Sequence, residues 1–292
     1  MWAACAMATV ASGCATGLRL GSSTDPLAIL QSGSLAYVRA DAQAAKQLVS
    51  ALRLPARTPY SAQAAKRLNQ VLDRTRVLAL GLGGSGAPEL QACLLGDYPF
   101  RAAALSLGLD PAWKREKAGY FNAALGLRAA LPGPNVVLAT SGSLEPLLAA
   151  AREPGISPLP SGLSGLASRP LVLWLPFPAL ASAVLGEDES LPLLGLLIAA
   201  ERDKDASGGY VASIVFLARD ADSARAFRPL LRLAWYGIES YLEDQAEGER
   251  AGQPSFVLDG AMFRADGVRL SSAQIEGALS KLSASIGPPS RP

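Results

Sequence analysis

The chain has 292 residues, half of them hydrophobic and 18% charged, with a net charge of +2 and no histidine. That length buries a sizeable core, as one large domain or two smaller ones. The near-neutral balance gives no field for nucleic acid. The missing histidine removes Ser-His-Asp and Cys-His nucleophile systems and the imidazole ligands that most zinc sites use.

Residues 1–13 read as a signal peptide, a short apolar run closing on Ala11-Ser12-Gly13 just before Cys14. The basic start of such peptides is absent. The run is too short to span a bilayer, which takes ~20 apolar residues. No later span is long and uncharged enough either. The alternative reading is an Ala-rich terminus that is never processed. Of the three cysteines, Cys5 would leave with the signal and Cys14 would follow the cleavage site. Cys93 would stay alone in the apolar stretch Gln91-Ala92-Cys93-Leu94-Leu95, as a buried small hydrophobe. No disulfide and no metal cluster is expected.

Residues 14–33 read as a tether, Gly/Ser-rich from residue 18. The first half follows, over residues 34–152. It begins with a strand at 34–38. Asp41 caps a helix at 42–52. A helix at 61–74 carries Leu68, Val71 and Leu72 on one face. Strands at 76–82 and 89–95, a helix at 100–107 and the segment 119–128 come next. The turn Pro132-Gly133-Pro134, a strand and a helix at 143–151 with Ser143 as N-cap close the half. Residues 153–168 form a Pro/Gly/Ser linker that keeps Ile156, Leu159, Leu163 and Leu166. These either pack back on the body or form an apolar flap.

Residues 169–286 repeat the pattern, before a tail at 287–292. The repeat runs through a strand at 169–174, a helix at 178–185, strands at 193–198 and 210–217 and a helix at 221–243. The segment 255–264, a turn at 265–267 and a helix at 272–283 capped by Ser272 complete it. The fold expected is α+β, with two pseudo-equivalent β-α-β-β-α-β-β-α halves, largely antiparallel sheets and packed helices.

Few motifs carry chemistry. Gly81-Leu82-Gly83-Gly84-Ser85-Gly86 fits a dinucleotide fingerprint, but Pro88 and a β-like run follow it where a helix would have to begin. The repeat sets it opposite the turn at 203–209, so a turn is expected and no cofactor. The carboxylates at 187–189 and at Glu239, Glu243, Asp244, Glu247 and Glu249 fit a solvated loop and helix end better than acid–base or metal chemistry. No catalytic residue and no metal ligand is assigned. The helix over 223–243 is more informative. Phe227, Leu231, Trp235 and Ile238 recur at helical spacing, flanked by Arg225, Arg228 and Arg232. Such a stripe suits either a bilayer interface or a helix packed on a sheet.

Ala11-Ser12-Gly13-Cys14 resembles the lipobox of bacterial lipoproteins. With the tether and the Ala/Leu-rich duplicated body, the chain resembles spirochaetal outer-membrane-associated lipoproteins of the treponemal kind, which carry amphipathic helices. The resemblance implies acylation at Cys14 and a periplasm-facing protein on the outer membrane. The expected function is a non-enzymatic envelope lipoprotein whose partner is membrane lipid. Its contact residues would be Ile156, Leu159, Leu163, Leu166, Phe227, Leu231, Trp235 and Ile238. The alternatives are a periplasmic carrier or scaffold binding an apolar ligand or an envelope protein, and a metal–carboxylate enzyme.

Overall fold

The computed structural model describes residues 17–21, 23–51, 66, 69–83, 89–177, 192–203, 209–245, 254–271 and 274. The signal segment with Cys14, the 178–185 helix, the acidic run 187–189 and the tail at 287–292 lie outside the described residues.

Twelve strands among these residues form one antiparallel sheet. In the first half they are β1 (Ala36–Asp41), β2 (Thr75–Leu82), β3 (Leu90–Gly96), β4 (Lys114–Arg115), β5 (Tyr120–Asn122), β6 (Leu127–Gly133) and β7 (Val136–Thr140). In the second they are β8 (Leu171–Pro176), β9 (Leu193–Arg202), β10 (Tyr210–Ala218), β11 (Ser255–Asp259) and β12 (Met262–Leu270). The helices are α1 (Ala42–Ala51), α2 (Phe100–Leu109), α3 (Glu145–Arg152), α4 (Ser164–Ala167) and α5 (Ala221–Gln245).

The strand order is β11-β12-β10-β9-β8-β1-β2-β3-β7-β6-β5-β4. The expected pair of sheets is thus a single sheet. Its centre is β1 against β8, with Tyr37 opposite Trp174. The physical reason is an edge problem. The first strand of each half has an unpaired side, and the two unpaired sides satisfy each other.

Side-chain alternation explains the layers. One face of the sheet carries Ala79, Cys93, Leu138, Val172, Trp174, Leu197 and Val215 in one continuous core. The other face holds separate cores under α1 and α5. Ala44 and Ala45 of α1 cover Leu78, Ala92 and Leu94, and Trp235 of α5 covers Ala212, Ile214 and Ala265. Asp41 caps α1 as its position implies, its Oδ1 accepting from the Gln43 and Ala44 N–H groups at 3.1 and 2.8 Å.

Several expectations change. The stretch read as a free tether is built into the body. Asp25 caps a 3₁₀ turn, Pro26–Ile29, whose residues are all buried. The apolar run Pro26-Leu27-Ala28-Ile29-Leu30 gains more from burial than a solvated linker could. Ala265-Asp266-Gly267 is no turn but a bulge inside continuous β12, with Gly267 at φ +81° and the register slipping between Ala212 and Ser213. Because β12 lies on β10 as β7 lies on β3, the β11–β12 hairpin takes the place of β6–β7. Residues 119–128 therefore do not match 255–264 in position, since β5 and β4 lie outside β6. Ser143 is not the cap of α3, whose N-cap residue is Leu144. The helix expected at 272–283, with Ser272, lies outside the described residues apart from Gln274, which bonds reciprocally with Ser271. The Ser271 Oγ accepts from Gln274 N–H while Gln274 Oε1 accepts from Ser271 N–H.

Candidate functional site

The Gly-rich connection after β2 is a hairpin closure, with Gly83 N–H donating to Glu89 O at 2.9 Å. In the second half Asp203 N–H donates to Gly209 O at 2.9 Å, closing β9 and β10 in the same way. Residues 84–88 and 204–208 lie outside the described residues.

Two clefts are lined by charged groups. In the larger, of about 410 Å³, Glu116, Lys117, Arg128, Ser143 and Glu145 converge. Arg128 stacks on Phe121 with its guanidinium 4.6 Å from the ring centre. It donates to Glu116 at 3.1 Å and to the Gly142 carbonyl at 3.2 Å. The Ser143 hydroxyl donates to Glu145 and holds that carboxyl below its usual range. The smaller cleft, about 250 Å³, lies by the ion pairs Arg169–Glu201 and Arg264–Asp266, at 2.8 and 2.6 Å. Opposite charges are matched within both clefts, so each is largely neutralised by its own walls.

The surface that stands apart is α2. Pro99 precedes it and breaks the backbone pattern before its first turn. Its ten residues, Phe-Arg-Ala-Ala-Ala-Leu-Ser-Leu-Gly-Leu, carry one charge, Arg101. A helix apolar on every side is normally buried on every side. None of its residues is buried, and Leu105 and Leu109 are 64% and 75% exposed. It is fixed from beneath by Tyr120 of β5, whose hydroxyl donates to the Ala104 carbonyl at 3.0 Å. Beside it the edge strand β4 exposes Lys114 and Arg115, followed by exposed Lys117. Of the acids nearby, Glu116 pairs with Arg128, Asp110 accepts from the Ala112 N–H, and Glu145 faces Lys117 across the larger cleft.

The expected contact residues do not form one surface. Ile156 is 96% exposed, whereas Leu159 and Leu163 are buried in the main core and Leu166 packs against it. Trp235 is buried, edge-on to Phe256 at 6.4 Å. Phe227 is half-buried. The side chains of Leu231 and Ile238 lie outside the described residues, as does Cys14. Among the described side chains of α5, the large apolar ones that are exposed are Leu233 and Tyr236, at 65% and 66%. Sequence reading found α2 as a helix but not as a surface. The signal was there in its near lack of charge, followed by the basic run at 114–117.

The class that this architecture defines is an α+β protein built on one long antiparallel sheet. No protein-family model matches the chain, and no curated protein matches it in sequence. Solved structures do. Crystal form III of TP0453, a treponemal protein, matches with a TM-score of 0.61 at 14% identity, covering 89% of this chain and 100% of that one. Crystal form I matches with a TM-score of 0.59 at 14% identity, covering 89% and 98%. Crystal form IV matches with a TM-score of 0.57 at 14% identity, covering 88% and 97%. At this identity the likeness is one of fold. No helix among the described residues is long and apolar enough to cross a membrane.

Proposed function

We propose that the chain is a non-enzymatic bacterial envelope lipoprotein, acylated at Cys14, that lies peripherally on a membrane, with α2 as its protein contact. The observation that carries this reading is α2, an apolar helix left uncovered beside a basic strand. An uncovered apolar helix gains free energy when its exposed side chains are buried among acyl chains. Burying Leu105 and Leu109 there is worth roughly 1.5–3 kcal/mol each. The lipobox-like Ala11-Ser12-Gly13-Cys14 supports the lipid anchor, and the likeness in fold to a treponemal protein agrees with a bacterial envelope protein; the outer membrane, facing the periplasm, is the address proposed.

The two halves are read as pseudo-equivalent. Support comes from the strand order, which runs outward as β1-β2-β3-β7-β6 on one side and β8-β9-β10-β12-β11 on the other. The matching closures at Gly83–Glu89 and Asp203–Gly209 add to it.

Two measurements test the reading. Cells fed labelled palmitate should mark the wild-type chain and not Cys14→Ser; equal labelling defeats the anchor. In liposome flotation, the unacylated chain should rise with anionic vesicles, and Leu105→Glu/Leu109→Glu should stay at the bottom. Equal flotation of both removes α2 as the contact.

A further inference from the structure

The segment before the 3₁₀ turn is strapped down at one particular place. Leu18 N–H donates to the Pro132 carbonyl at 2.9 Å, and Asn135 clasps the backbone of Leu20 from both sides, at 3.2 and 2.7 Å. Leu18 and Leu20 pack against the main core. The strap lies so close to the β6–β7 turn that a β-carbon on Gly133 would run into the Leu18 carbonyl. A chain spans at most about 3.3–3.6 Å per residue, so the three steps from Gly17 to Cys14 keep residue 14 within about 10 Å of that turn. The same turn adjoins the start of α2. Tyr98 N–H donates to the Pro134 carbonyl at 2.8 Å, and Phe100 opens the helix two residues later.

We propose that the strap is an orienting device. It fixes the exit of the lipid anchor at the β6–β7 turn, so that α2, with Arg101 and Arg115, is the face laid on an anionic lipid surface. The inference rests on the reading of Cys14 as the anchored residue, and it adds which way the body faces. Chain length carries it. A free tether from 14 to 33 would let the body tumble, with an r.m.s. reach of roughly 25 Å for a Gly-rich coil. The docked strap leaves about 10 Å.

Position in the sheet carries it further. β10, under α5, stands seven strands from β6 in the order, or about 30 Å at roughly 4.8 Å per strand. The exposed Leu233 and Tyr236 of α5 are therefore remote from the anchor, while α2 adjoins it. Charge agrees, since Arg101 of α2 is exposed and Arg115, opposite Tyr120, is exposed on the sheet face that α2 covers. Basic groups beside an apolar helix match anionic headgroups above acyl chains.

The test uses the full chain carrying Cys5→Ala, coupled through Cys14 to vesicles of phosphatidylcholine and phosphatidylglycerol doped with a maleimide lipid. Cys93 is buried and stays unlabelled. Hydrogen exchange is then read against the uncoupled chain. Coupling should slow exchange over 100–117 by roughly tenfold and leave 155–158 and 232–237 unchanged. Gly133→Ala, which displaces the strap, and a flexible insert of roughly ten residues after residue 16 should each abolish most of that protection. Protection at 232–237, or protection at 100–117 that survives both changes, overturns the proposal. Because the coupling is chemical, loss of palmitate labelling in cells would remove Cys14 as a natural anchor without touching this result.

Discussion

Asn135 holds Leu20 as a neighbouring strand would: its Oδ1 accepts from the Leu20 N–H at 3.2 Å and its Nδ2 donates to the Leu20 carbonyl at 2.7 Å. One side chain thus satisfies both backbone groups of a residue outside the sheet. Asn135→Ala removes both bonds. At about 0.5–1.5 kcal/mol each, the loss should be roughly 1–3 kcal/mol, read as a lower urea midpoint. Exchange protection at 18–20 should fall first, because the strap opens before the sheet does. Unaltered protection there would show that Leu18 and Leu20 are held by packing alone.

Gly195 of β9 lies against the face of Trp174 on β8, and a β-carbon at 195 would enter the indole ring. Trp174 is buried in the main core. Gly195→Ala therefore has to push the largest side chain of the central strands out of place. Overpacking of this kind costs about 1–3 kcal/mol. Thermal unfolding should show it as a drop in Tm, while Trp174→Phe on the same background should recover part of the loss. A Gly195→Ala variant as stable as wild type would mean that the indole has room to turn.

How much of this was legible in the sequence depends on the range of the interaction. Asp41 as a helix cap was legible because capping is local chemistry within three residues. The central strands were legible as short apolar, β-prone runs bounded by turn residues, whereas the two-residue edge strand β4 carries no such run. The β1–β8 joint was not, since it pairs Tyr37 with Trp174 across the whole first half and no local signal sets that register. The tether was misread because its Gly/Ser content hid Leu27, Ile29 and Leu30, which decide its burial. In the linker, four spaced apolar residues looked alike, yet Leu163 is buried and Ile156 is bare. Spacing in a loop carries no periodicity that could tell them apart. For the site, α2 could have been found by asking what covers a helix with a single charge.

Two groups in the core should make stability fall at high pH. Burial, with the charge of Asp25 adding to it, pushes the Cys93 thiol up to about 12. Burial likewise pushes the Tyr98 phenol up to about 12, against the opposing effect of its hydrogen bond to Thr75. In the unfolded chain these groups titrate near about 8.5 and 10. The folded state keeps protons that the unfolded state releases, so their contribution is fully present below about pH 8.5 and is lost as pH rises toward 12. Urea midpoints taken at about pH 8 and about pH 10.5 should differ, with a slope of at most about 1.4 kcal/mol per pH unit per group. Cys93→Ala should flatten the part of that slope which begins first, and Tyr98→Phe the part which begins later. A midpoint independent of pH over this range would show that neither group titrates differently on folding.

The basic run after α2 has two physical roles that experiment can separate. Lys114 and Arg115 form the outermost strand of the sheet, and charges on an edge strand deter pairing with a second copy. Arg115, opposite Tyr120, also stands with Arg101 on the sheet face of the uncovered apolar helix, where an anionic surface would meet the two. Each basic group near such a surface is worth about 1 kcal/mol, and salt screens it over roughly 10 Å at 0.1 M. Arg101→Ala/Arg115→Ala should therefore weaken binding to phosphatidylglycerol vesicles by roughly 10- to 30-fold. Binding to pure phosphatidylcholine vesicles should barely change. Raising the salt should weaken the wild type and leave the variant nearly flat. Because both side chains are exposed, the unfolding midpoint should move little. If the variant instead aggregates while its vesicle affinity is intact at both lipid compositions, the charges guard the edge and the lipid contact belongs to the apolar side chains of α2 alone.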